Sequence, residues 1–294
     1  MMNTNKTGIV LFVYKRPQHT SEVLEGLRKN SIEKLYIIAD GPKEADNPGD
    51  IEQVHRIIDS VDWCKTEIIK SPHNRGLSNS RVFGVNYVLD RHERIIVIED
   101  DCVPAEDFIS FMVQCLDQYE SEEKVMNIVG YAMPFKMPKK YHYDTYFTYR
   151  SGAHGQAFWR RSWKLLECNP DDFNQIKESK KLRKKLDLGG RDLYYIFEQQ
   201  MEGKLDSLQI WWTWSIIKND GFCVNPTHSR IRNIGYDGSG VHCGTTDKYL
   251  IENIEDRKSS EIRFPPEMKV NHEINHSFNT FIHGTLWQRA RDKM

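Results

Sequence analysis

Arg94-Ile95-Ile96-Val97-Ile98-Glu99-Asp100-Asp101 constrains the fold more than any other stretch of this chain. Four apolar, mostly β-branched residues run without interruption into three carboxylates. A continuous apolar run of this kind reads as a strand buried on both faces, as in the middle of a parallel sheet. Open α/β sheets bind ligands just outside the carboxyl ends of their strands, which is where these acids fall. Adjacent carboxylates repel one another unless a positive charge sits among them. A divalent metal meets that need, and a metal held between acids and phosphate oxygens points to a nucleotide. The alternative is a solvated acidic turn, and the rest of the chain has to decide between them.

Upstream, Gly8 to Tyr14 is a second apolar run and is expected to be a buried strand. Pro17 suits the first turn of a helix reaching Arg28. Leu35 to Ala39 predicts a strand that ends in the turn Asp40-Gly41-Pro42. Ile51, Val54, Ile57, Ile58 and Val61 fall at helical spacing. Thr66 to Lys70 predicts a short strand, Ser71 to Gly76 a loop, and Leu77 to Leu89 a helix. After the acidic strand come a helix over Ala105 to Tyr119 and a strand over Val125 to Val129. Strands alternating with helices mean βαβ units and a mostly parallel sheet flanked by helices, an α/β fold. The Gly-x-Gly-x-x-Gly fingerprint and the Walker loop are both missing, so phosphates must be held another way.

The second half differs in texture. Aromatic residues crowd Tyr141 to Trp163 and the strand rhythm is lost. Helices are expected at Arg161–Leu166, Phe173–Leu186, Asp192–Met201 and Trp211–Lys218, with a short strand at Phe222-Cys223-Val224. The polar tail carries Pro265-Pro266 and is expected to wrap the body as extended segments, with a short helix near Leu286–Arg291. The simplest organisation is one domain over 1–294: a nucleotide-binding half over 1–130, an acceptor half and lid over 131–245, and a packed tail over 246–294.

Net charge is −1, which gives no global field for nucleic acid. The six cysteines are scattered without a Cys-x-x-Cys pair, which fits free thiols in a reducing compartment and not a zinc site. The polar N-terminus lacks a signal-peptide core, and no apolar run reaches membrane-spanning length. The expectation is a cytoplasmic protein. A basic stretch over 177–185 (Lys177, Lys180, Lys181, Arg183, Lys184, Lys185), with Leu182, Leu186 and Leu188 among its residues, allows peripheral contact with an anionic membrane. Its alternative is a helix whose lysines only solvate it while Leu182 and Leu186 pack on the body.

Taken in order, these motifs resemble those of the GT-A glycosyltransferases, among them the N-glycan β-1,2-N-acetylglucosaminyltransferase family and related bacterial sugar transferases. Val97 to Asp101, followed by Pro104-Ala105-Glu106-Asp107-Phe108, is similar to that family's metal motif and the helix after it. Ile37-Ile38-Ala39-Asp40-Gly41 resembles its uracil-contacting loop. Tyr149-Arg150-Ser151, with Gly155 and Trp159, resembles the stretch where sugar and acceptor meet. Asn225 to Arg230 and Gly240 to Gly244 resemble its late loop, which orders over the donor. The likeness spans residues 8 to 245.

The resemblance implies a metal-dependent, inverting transferase moving a hexose or N-acetylhexosamine from a UDP-sugar to a glycan or lipid-linked hydroxyl. Mn²⁺ or Mg²⁺ is implied, held by hard oxygen ligands. Asp101 is then the direct metal ligand, Glu99 and Asp100 contact sugar and ribose hydroxyls, and Asp40 accepts from the uracil imide. For Asp40 the alternative is a plain Asp-Gly turn. Lys15 and Arg16, at the end of the first strand, flank the base or the phosphates. Asn74, Arg75 and Arg81 lie at a helix N-terminus, a natural anion site, against capping by Asn74 or Ser78 as the alternative. His242, in a lid given freedom by Gly235, Gly238, Gly240 and Gly244, ligates metal or bonds phosphate, or is a surface histidine.

The general base is Asp206 or, failing that, Glu198. Alignment on the tryptophans puts Gln209 or Ile210 where the family has its acid, and Asp206 has a helix N-cap as its alternative role. Two other functions compete. One is a sugar nucleotidyltransferase, which calls for a Gly-rich loop after the first strand that Tyr14-Lys15-Arg16-Pro17 does not supply. The other is a non-catalytic nucleotide- or carbohydrate-binding protein of the same fold.

Overall fold

The computed structural model describes residues 6–238, 248–251, 254 and 261–283. In chain order the first half runs β1 (Thr7–Val13), α1 (Pro17–Arg28), β2 (Lys34–Ala39), α2 (Pro48–Asp59), β3 (Lys65–Lys70), α3 (Leu77–Leu89), β4 (Arg94–Glu99), β5 (Cys102–Pro104), α4 (Phe108–Gln118) and β6 (Val125–Val129). The second half runs β7 (Thr145–Thr148), β8 (Gln156–Trp159), α5 (Arg160–Trp163), α6 (Pro170–Glu178), α7 (Lys180–Leu186), α8 (Leu193–Met201), α9 (Leu208–Lys218), β9 (Phe222–Pro226), β10 (Ile231–Asn233) and α10 (His272–His283).

Eight strands form one mixed sheet in the order β3-β2-β1-β4-β8-β6-β9-β7. The β1–β2, β1–β4, β2–β3 and β6–β9 pairs are parallel, while β8 and β7 run antiparallel to their neighbours. This is the mostly parallel, helix-flanked α/β sheet that the first half predicts. β4 lies at its centre because both its faces are apolar: Ile95 and Val97 join one core, Ile96 and Ile98 the other. The core of Ile96 and Ile98 is closed by α1, α2 and α4, and that of Ile95 and Val97 by α3, α9 and Trp163. Gly84 lets α3 lie close on the sheet, since a Cβ there would come within 2.6 Å of the Phe12 ring. A separate β5–β10 ribbon, antiparallel with Asn233 opposite Cys102, crosses the end of β4.

Several expectations need correction. The stretch over Phe173–Leu186 is two helices, not one, because Ser179 takes extended backbone and caps α7 through its side chain to Leu182 N. The aromatic segment contains strands β7 and β8, whose residues are buried on both faces and so carry no alternation to read. The tail contains a helix, α10, capped by Asn271, where extended chain was expected. The short helix expected near Leu286–Arg291 lies outside the described residues. The five described cysteines are free, as their spacing predicts. Among the described residues no helix is long and apolar enough to cross a membrane.

Candidate active site

Alternation along β4 decides where its terminal acids go. Glu99 continues the face of Ile95 and Val97, toward α3, and Asp100 continues the face of Ile96 and Ile98, toward α1. Each meets an arginine. Arg81 Nη1 of α3 donates to Glu99 Oε1 at 2.6 Å, and its other nitrogen donates to Gln156 of β8. Arg16 stands at the N-cap position of α1 but makes no side-chain cap. Its guanidinium reaches across instead to Asp100, with Nε 3.4 Å from Oδ2, and lies 3.0 Å from Asp101 Oδ2.

Asp101 is fixed from the other side by the β5–β10 ribbon. Its carbonyl accepts from Ile234 N at 2.8 Å, and its carboxylate accepts from Cys102 Sγ at 3.3 Å. Gly235 follows immediately. A Cβ there would collide with the Asp101 carboxylate and stand 3.1 Å from Arg16 Nη1, so only glycine leaves both groups their places. Asn233 Oδ1 accepts from Gly235 N, which orients its amide to donate to His154 Nδ1 at 3.0 Å. His154 Nε2 therefore carries the ring proton toward Tyr236 Oη at 3.1 Å. Burial lowers the His154 pKa and favours this neutral ring.

The electrostatics show a site short of positive charge. Burial pushes the Glu99 carboxyl up to about 7, with Arg81 opposing and Asp101 and Asp100 adding to the rise. Asp100 is also raised by burial, against the pull of Arg16. Burial works against the Arg16 charge, yet Asp100 and Asp101 together hold its pKa above the ordinary guanidinium value. Glu99, Asp101 and Cys102 offer ligand atoms within 4.8 Å of one another. Burial, with Asp101 and Glu99 nearby, keeps the Cys102 thiol protonated, which leaves two hard carboxylates as donors. That set fits Mg²⁺ or Mn²⁺, which take part of their coordination from phosphate and water.

The structure places the remaining expected residues with less unity. Asp40 is buried at the end of β2, where Oδ1 accepts from Gly41 N and Arg75 N and Oδ2 from the Asn74 amide. It therefore organises the loop into α3 as an Asp-Gly turn would. Lys15 turns away from the acids to Asp46, at 2.6 Å. Arg75 also turns out, stacking on the Phe83 ring at 4.0 Å. Asp206 is exposed, and its capping role belongs to a different helix from the one expected. Its Oδ2 stands 3.5 Å from Ser78 N, at the start of α3, and does not cap α9. Glu198 lies on α8, which packs chiefly on α6, α7 and α9 rather than on the strand ends. His242, Gly240 and Gly244 lie outside the described residues, while Gly235 and Gly238 are described.

Sequence reasoning passed over Gln156, which ties Ser151 and Gln209 into an amide chain beside the acids. Gln156 Nε2 donates to Ser151 Oγ at 2.7 Å and to Gln209 Oε1 at 3.3 Å, and Gln209 Nε2 donates to the Ser151 carbonyl at 3.0 Å. One signal was available: Gln156 is a polar residue inside the apolar run Gln156-Ala157-Phe158-Trp159, and a buried amide needs partners. His154, Asn233 and Tyr236 gave no such signal.

Solved structures resemble the chain at low identity. PcManGT, a mannosyltransferase from Pyrobaculum calidifontis in complex with GDP-Man and Mn²⁺, is 15% identical with a TM-score of 0.38, and the match covers 55% of this chain and 45% of that one. S. aureus TarS 1-349 is 10% identical with a TM-score of 0.44, covering 77% and 59%. A UDP-glucose pyrophosphorylase complexed with UDP-glucose is 11% identical with a TM-score of 0.39, covering 75% and 90%. The match thus takes in less than two thirds of the length of the first two. No curated protein matches the chain. The pattern of Glycosyl transferase family 2 matches residues 9–179, more than half of the 294 residues, and includes the acid cluster with both of its arginines; the chain belongs to glycosyl transferase family 2.

Proposed function

We propose that this glycosyltransferase moves a sugar, with inversion, from a UDP-sugar to a hydroxyl of a glycan or lipid-linked acceptor, and that it needs Mn²⁺ or Mg²⁺. The observation that carries the reading is the pairing of Glu99, Asp100 and Asp101 with Arg81 and Arg16 at the end of the central strand. In this reading Asp101 and Glu99 hold the metal, which when bound neutralises charge on the departing diphosphate. Arg81 orients Glu99 and opposes its protonation, and Asp40 with Asn74 shapes the loop that receives the base. Asp206, exposed beside the N-terminus of α3, takes the proton from the acceptor hydroxyl. The exposed Lys177, Lys180, Lys181 and Lys184 form the surface that keeps the enzyme near an anionic leaflet.

A donor screen tests this: nucleoside diphosphate release from UDP- and GDP-sugars, with Mn²⁺, Mg²⁺ or EDTA. Release from a UDP-sugar that EDTA abolishes supports the proposal, and equal release in EDTA removes the metal from it. A second reading, a nucleotide-binding protein without turnover, draws on the contact that already engages Asp206 at α3. Calorimetry showing metal-dependent UDP binding with no turnover of any donor would favour it.

A further inference from the structure

Arg16 occupies the place where a metal's charge is needed. Its guanidinium touches both Asp100 and Asp101, and Asp101 Oδ2 at 3.0 Å is an oxygen that a metal would claim. The side chain is only 18% exposed, so little water screens it. Yet the contact is incomplete, because Arg16 Nη1 is buried without a hydrogen-bond partner among the described residues. A buried donor left unpaired is costly, so this guanidinium is poised to donate to another oxygen.

The charges around it favour an exchange. Three carboxylates face two guanidiniums, so with Glu99 ionised one negative charge is left over. A divalent ion alone would turn that into an excess of positive charge, with a guanidinium pressed against it. A diphosphate arriving with the ion restores the balance and offers Arg16 new oxygens. Two parallel N–H donors suit such an oxyanion better than a point charge does.

We propose that Arg16 is a built-in counter-cation for the metal site: it holds Asp100 and Asp101 while the site lacks metal, opposes binding of metal alone, and passes to the diphosphate when donor and metal enter together. This rests on the metal-dependent reading above and adds an order to it. Arg16 is a positioning residue here, acting through Asp101. Because coupling is reciprocal, the nucleotide must raise metal affinity as much as the metal raises nucleotide affinity.

The test is Mn²⁺ binding, read by electron paramagnetic resonance of the free ion and by calorimetry, on the full chain with MnCl₂ alone and then with UDP. Arg16→Gln should bind Mn²⁺ alone at least about tenfold more tightly than the parent chain, the lower end of what an adjacent guanidinium does to a carboxylate's affinity for a proton. UDP should strengthen Mn²⁺ binding more in the parent than in Arg16→Gln. Arg16→Lys keeps a cation but cannot bridge both acids, and should fall between them. It also serves if Arg16→Gln does not fold by circular dichroism. Equal or weaker Mn²⁺ binding in the Arg16 variants, while the parent still binds Mn²⁺ with UDP through Asp101, overturns the counter-cation role and leaves the metal reading standing. No Mn²⁺ binding by any form, with or without UDP, overturns both.

Discussion

Arg81 and Glu99 are joined at 2.6 Å across the interface between α3 and the end of β4, and Arg81 is the cation that opposes the rise in the Glu99 pKa. Glu99 stands at about 7 in the fold against 4.5 in a free chain. Between those values the folded protein keeps a proton that the unfolded chain has released, so stability falls as pH rises through the window. Arg81→Gln should raise the Glu99 pKa further and stretch the window upward. Thermal melts across pH should then keep falling above pH 7 in the variant, where the parent levels off. Parallel curves would show that Arg81 does not govern Glu99.

Asp101 is buried and anchored by its carbonyl to Ile234 N, so Asp101→Asn should keep the fold. It should lose the Mn²⁺ dependence of UDP affinity, because the amide has no charge to offer a hard ion. Calorimetry of UDP with and without Mn²⁺ decides this. An undiminished metal effect in the variant would assign the ion to other ligands.

Gly235 should tolerate no side chain. Gly235→Ala would drive the Asp101 carboxylate off its position while leaving the buried cores untouched. Mn²⁺ affinity in the presence of UDP should drop about 10–100-fold, the usual cost of disturbing support around a metal ligand. A normal affinity would mean that Asp101 can shift freely and that the ribbon does not fix it.

Asp206 separates two roles by kinetics. As the general base, Asp206→Asn should lower kcat about 10²–10⁴-fold with donor affinity kept. If its contact with Ser78 N is its whole purpose, the variant melts earlier and turns over normally. Glu198→Gln, remote on α8, should leave turnover near the parent value in either case.

The basic surface can be tested without touching the fold. Lys185 is engaged with Asp220 and Lys218, and Arg183 stacks on Tyr194, so neither belongs in the variant. Lys177, Lys180, Lys181 and Lys184 are exposed, and each is worth about 1 kcal/mol at an anionic leaflet. The parent chain should float with anionic vesicles at low salt and lose them as salt rises. The quadruple Gln variant should not float. If the parent stays behind at low salt, a soluble acceptor is the better assignment.

The first half was legible because its signals are local. β1, β2 and β4 contain uninterrupted apolar runs, β6 is an apolar run broken only by Asn127, and α3 and β6 fall where periodicity puts their ends. The acids at the end of β4 were legible for the same reason: a buried strand that stops in carboxylates places them at the strand's carboxyl end whatever surrounds it. Leu182 and Leu186 could likewise be read as packing inward from their spacing, and both do. What the sequence alone could not supply is which partner each acid meets. Arg16 and Asp100 are 84 positions apart, Arg81 and Gln156 are 75, and Asn233 and His154 are 79. No periodicity links residues so distant. Their meeting follows from parallel pairing of β1 with β4, from the close seat that Gly84 gives α3, and from the β5–β10 ribbon folding back across the strand end. Asp206 shows the same limit. Its sequence neighbours mark it as a cap for α9, but packing puts it over α3, because a carboxylate answers to whichever unpaired N–H groups the tertiary structure brings within reach.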